Sequence, residues 1–176
     1  MTVASHRHVA VIALRHGNES PVMPISPALC EVIAASVPQL HAHCRDEWTV
    51  IGSAAAALAG VDVQAADLDL LTSVADAQRL IALWPSRLDV AYVPAGADRF
   101  RSCFARFQFP GMPLEVMGGL ELHDERGWQA VRVQNVVHVN VAGIDVPIPA
   151  RDEQIRILES FGRPKDLARA DLLRAL

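Results

Sequence analysis

The run Asp67-Leu68-Asp69-Leu70-Leu71 alternates acidic and apolar side chains. On an extended strand the two carboxylates project from one face, roughly 7 Å apart at Cβ, while the leucines bury on the other. Oxygen donors at that spacing can share a hard divalent cation, because like charges so close repel unless something positive lies between them. Taken alone, such a pair more often describes a solvated strand face. Upstream, Gly52-Ser53 sits between the β-prone run Trp48 to Ile51 and the alanine-rich stretch Ala54 to Ala59. A glycine there lets backbone N–H groups approach a phosphate, and the following helix start adds partial positive charge. A capped helix after a tight turn has the same pattern. Downstream, Glu115 stands among Leu114, Val116 and Met117. Burying it is costly unless it is paired or metal-bound, so it either joins the two aspartates or pairs with an arginine such as Arg106.

The elements that must position these residues follow from periodicity and punctuation. Ser26-Pro27 is a helix start, with Leu29, Val32, Ile33 and Val37 on one face and Pro38 as an interruption. Gly60 ends the alanine-rich helix, and the spacing predicts a strand over Asp67 to Leu71. Ser73 and Asp76 open a helix whose Ala77, Leu80, Ile81 and Trp84 share a face. Further strands are expected over Asp89 to Val93, Arg101 to Phe109, Pro113 to Met117, Gln129 to Val133, Val136 to Val141 and Ile144 to Ile148. Two helices close the chain, Arg151 to Ser160 before Gly162 and Pro164 to Leu176. A strand over Val9 to Leu14 belongs to an N-terminal extension of residues 1–25, ahead of a single α+β domain over residues 26–176.

Composition narrows the function classes. With 176 residues, 51% of them hydrophobic and 20% charged, the chain can bury a core and is not disordered. A net charge of -4 argues against broad electrostatic binding of nucleic acid. Cys30, Cys44 and Cys103 are odd in number and widely spaced, which suits a reducing compartment. No run is long and apolar enough to cross a membrane, and a cytoplasmic location is expected. His41-Ala42-His43-Cys44 lacks any standard zinc spacing. Phe104, Phe107 and Phe109 beside Arg101 fit a core better than an RNA-stacking face.

In order and type these runs resemble the nucleotidyltransferase superfamily that includes DNA polymerase beta, especially its minimal bacterial members. The carrying residues are Ile51-Gly52-Ser53, thirteen intervening residues, Asp67-Leu68-Asp69-Leu70, and later Leu114-Glu115-Val116. The helix start Arg163-Pro164-Lys165-Asp166 stands where these proteins often carry Arg-x-Lys-Asp, and it holds the only lysine in the chain. The resemblance spans Trp48 to the C-terminus. It implies a mixed β-sheet flanked by helices, with C-terminal helices. It also implies Mg²⁺, as two ions, held by Asp67, Asp69 and Glu115, with a nucleoside triphosphate such as ATP as substrate. Gly52 and Ser53 would hold its β/γ-phosphates. Lys165 would touch phosphate or acceptor, or simply pair with a neighbouring acid. An NMP group would pass to a hydroxyl on a small molecule or protein, with Glu115 able to take the proton. The other reading is a catalytically silent nucleotide-binding regulator or antitoxin-like protein. The helical acceptor-binding domain that many such proteins add is not expected within residues 26–176, and a second protomer in a homodimer is one source of that surface.

Overall fold

The computed structural model describes residues 25–94, 96 and 98–176. The expected strand over Val9 to Leu14 lies outside them. Helix α1, Pro27–His43, begins where Ser26 accepts the Leu29 N–H at 3.2 Å, and it buries Leu29, Val32, Ile33, Val37 and Leu40. Pro38 does not interrupt it. The proline lies on the exposed side, and burial of Val37 and Leu40 on either side outweighs one missing backbone donor.

Strand β1, Thr49–Ile51, leads directly into helix α2, Gly52–Leu58. Strand β2, Leu68–Thr72, runs antiparallel to β1, so Asp67 precedes the strand rather than opening it. Helix α3, Val74–Leu83, starts at Ser73, whose hydroxyl accepts the Asp76 N–H at 3.0 Å. Asp76 is fully buried and accepts the backbone N–H groups of Arg45 and Asp46, tying α3 to the loop before β1.

The expected strand over Asp89 to Val93 does not form. Asp89 instead accepts the Ala91 N–H at 3.3 Å, a local side-chain turn, and Val90 and Val93 stand 86% and 82% exposed. Strands β3, Phe100–Phe107, and β4, Leu114–Asp124, pair antiparallel as a hairpin, with β4 running well past the expected end at Met117. Strand β5, Gly127–Ala130, pairs with the far end of β4 and is shorter than expected. The sheet order is β1-β2-β4-β3, with β2 and β4 parallel and the other pairs antiparallel. Strands β6, Val136–Val141, and β7, Ile144–Pro149, make a separate ribbon, joined to β1 where the Thr49 hydroxyl donates to the Pro147 carbonyl at 3.1 Å.

Helix α4, Arg151–Phe161, stops at Gly162 (φ 64°), and α5, Pro164–Arg174, follows. The main core lies between α1, α3 and the sheet. On the other face, Ile157 and Phe161 of α4 pack with Ile51, Leu71, Leu120 and Leu122. That placement brings the start of α5 beside the carboxylate-bearing ends of β2 and β4. The mixed α+β architecture with C-terminal helices is the expected one.

Candidate active site

Parallel pairing of β2 with β4 sets Asp69 opposite Glu115, which in turn sits opposite Arg106 on β3. Asp67 lies two residues before Asp69 and faces the same cavity, of about 530 Å³. Gly52, Ser53, Lys165 and Glu115 line it too, so all six residues singled out from the sequence meet there.

Gly52 explains how closely they meet. Its φ is +69°, and a Cβ placed on it would lie 2.3 Å from Asp69 Oδ2. The Asp69 carboxylate therefore occupies the space a side chain would take, and only glycine satisfies both the backbone and the contact. Ser53 is buried beside it.

Electrostatics mark this cavity as strained by like charge. Burial, then the charges of Asp67 and Glu115, pushes the Asp69 carboxyl up to about 7, against the pull of Arg163 and Arg169. Burial and Asp67 also push Glu115 above the usual carboxylate range. Arg106 opposes that shift by an ion pair with Glu115. Asp67 and Asp69 form no ion pair among the described residues.

Sequence reasoning missed several lining groups. Tyr92 lies over the Arg106 guanidinium, 4.1 Å from ring centroid to carbon, and stacks on Phe104 at 5.9 Å. Burial and the Glu115 charge hold its phenol above the ordinary value. The run Asp89 to Val93 gave no sign of this, because it reads as a strand. Arg163 and Arg169 also line the cavity. Both are held by the fully buried Asp166, Arg163 at 2.6 and 3.1 Å and Arg169 at 3.7 Å. The Arg-x-Lys-Asp run contained that signal. Its aspartate pairs with arginines, leaving Lys165 exposed at the cavity edge.

The three carboxylates are oxygen-only donors, the type a Mg²⁺-like ion takes. Asp67 and Asp69 fit such an ion directly, since positive charge would relieve the repulsion that raises Asp69. Glu115 is engaged by Arg106, and among the described residues no three His, Cys, Asp or Glu side chains already converge on a metal-sized point.

A second, larger cavity of about 890 Å³ opens where α1, the loop before β1 and the β6–β7 ribbon meet. It holds none of the six residues. His41 at its edge bonds the Asp145 carbonyl at 2.7 Å and packs on Trp48. Cys30, Cys44 and Cys103 are unpaired, and no helix among the described residues is long and apolar enough to cross a membrane.

No family model matches the chain, and no curated protein matches it. Solved structures do. TM1012 of Thermotoga maritima, assigned as a nucleotidyltransferase, superposes with a TM-score of 0.63 at 21% identity, over 81% of this chain and 89% of that one. The lincosamide antibiotic adenylyltransferase LnuA, in a lincomycin-bound structure, gives 0.54 at 11% identity, over 86% and 98%. An antigenic nucleotidyltransferase-like protein of Paracoccidioides brasiliensis gives 0.50 at 15% identity, over 84% and 76%. With the sheet order, the glycine bend and the facing acids already in place, these likenesses show that the chain has the nucleotidyltransferase fold.

Proposed function

We propose that this protein is a metal-dependent nucleotidyltransferase that moves an NMP group from a nucleoside triphosphate to a hydroxyl acceptor, on a small molecule or a protein. The observation that carries this reading is the packing of the Asp69 carboxylate against the bare α-carbon of Gly52, in a cavity shared by Asp67, Glu115 and four cations, Arg163, Lys165 and Arg169 among them. An acid and a polyphosphate-sized basic edge in one cavity is the charge pattern such a transfer needs.

Asp67 and Asp69 would hold Mg²⁺, with Glu115 as a third ligand only on release from Arg106. When bound, the ion would supply charge neutralisation at the triphosphate and a more electrophilic α-phosphorus. Lys165, Arg163 and Arg169 would bind phosphate oxygens, the arginines kept in place by Asp166. Gly52 and Ser53 would border the β/γ-phosphates. Glu115, raised by burial and Asp67, is the chain's own acceptor for the hydroxyl proton.

The ion pair between Arg106 and Glu115 supports a second reading, a nucleotide-binding regulator or antitoxin-like protein that transfers nothing. Incubation with α-labelled NTPs, Mg²⁺ and a metabolite or protein pool separates the two. The enzyme transfers label, and Asp67→Asn and Asp69→Asn do not. Mg²⁺-dependent nucleotide binding without any transfer would favour the regulator, and no binding at all would remove both.

A further inference from the structure

We propose that Tyr92 is itself a nucleotidyl acceptor: its phenolic oxygen takes the NMP group from a triphosphate bound in the same cavity, so that the chain modifies itself. This rests on the reading of the cavity as a nucleotidyl-transfer site. It adds the acceptor that the site already contains.

Tyr92 is the only tyrosine in the chain, and it lines the cavity together with Asp67, Asp69 and Glu115. One guanidinium fixes both partners of the proposed step, since Arg106 lies under the Tyr92 ring and ion-pairs with Glu115. Phe104 supports the ring beside it. Bracing Arg106 requires only an aromatic face, and a phenylalanine would supply it equally well. The hydroxyl needs another explanation, and the ring that carries it shares the cavity with Glu115. Glu115 is the register partner of Asp69, so phenol, proton acceptor and proposed metal-binding carboxylate lie on adjacent strands and the loop beside them. Tyr92 is also 38% exposed.

The step balances without a further reagent. The Tyr92 oxygen attacks the α-phosphorus and forms an O–P bond. The bond from the α-phosphorus to the bridging oxygen breaks, and pyrophosphate leaves with that electron pair. The phenol proton passes to the Glu115 carboxylate. The product is a tyrosyl–NMP phosphodiester that occupies the cavity.

The test uses the full chain with each α-labelled NTP and Mg²⁺, and no added acceptor. The expected result is one NMP mass on the intact protein, mapped to the Tyr92 peptide, at a rate independent of protein concentration. Tyr92→Phe, which keeps the ring, should lose the label with an unchanged circular dichroism spectrum. Tyr92→Ser, checked in the same way, should lose it too. NTP binding with no label on the protein, while a parallel reaction passes label to an added metabolite or protein pool or to nothing, would overturn the proposal and leave the transferase reading to its own test. Label on any other residue, or a rate that rises with protein concentration, would also overturn it. Failure of the protein to bind any NTP with Mg²⁺ would remove both readings together.

Discussion

At Gly52 one missing methyl group decides whether the acidic face can form. A Cβ there would sit 2.3 Å from Asp69 Oδ2, and the residue would also be held at positive φ. Gly52→Ala is therefore expected to cost about 1–3 kcal/mol of stability and at least about 100-fold in nucleotidyl transfer, read by denaturant titration and label transfer. Asp69 gives the opposite separation. Its folded-state pKa, about 7, lies above its ordinary value of 3.8, so the folded chain holds a proton that the unfolded chain has released. Stability of the metal-free protein should therefore be highest below about pH 4 from this group and fall as pH rises through 7. Asp69→Asn should abolish transfer yet flatten that fall, making the metal-free variant the more stable one at pH 8. A wild-type profile with no decline between pH 5 and 8 would contradict the burial argument. The carboxylate pattern and the glycine were legible in the sequence because strand alternation and turn chemistry are local. The contact between them was not, since it depends on which strands lie side by side.

At the scale of elements, the ends of helices carry the positioning. Asp166 in the first turn of α5 is fully buried and holds Arg163 and Arg169 toward the cavity. Asp166→Asn keeps the shape and loses the charge, so the KM for nucleotide should rise about tenfold with a smaller change in kcat. In α1 the helix runs through Pro38 because its buried face is stronger than the local break. Pro38→Ala, on the exposed side, should raise stability by up to about 3 kcal/mol in thermal or denaturant melts. Helix starts at Ser26 and Ser73, and the stop at Gly162, could be read in advance because caps are chemical signals confined to a turn. Burial is not confined in that way. Leu40 beyond Pro38 and the exposed valines of 89–93 were assigned by their local pattern, and the pattern carried no information on what would cover them.

For the whole molecule, the fold places a cavity bordered by acids on the sheet and cations on α5 between segments distant in the chain. Ligand binding should therefore tie the C-terminal helices to the sheet and shift global stability. Mg²⁺ with a saturating NTP is expected to raise the melting temperature, by about 2.7 kcal/mol of stability at 100 times Kd, and EDTA should remove the effect. Asp67→Asn should show no such shift.

The parallel pairing of β2 with β4 has a consequence for how the chain comes into being. The two strands are separated by α3, the Tyr92 loop and all of β3, so their alignment closes a long loop and belongs to the slow, late part of folding. Until that alignment forms, Glu115 and Asp69 feel no mutual repulsion, and a growing polypeptide carries no half-built centre able to capture a triphosphate. The capacity for chemistry thus waits on that long-range closure of the sheet and on the docking of the C-terminal helices that follow it.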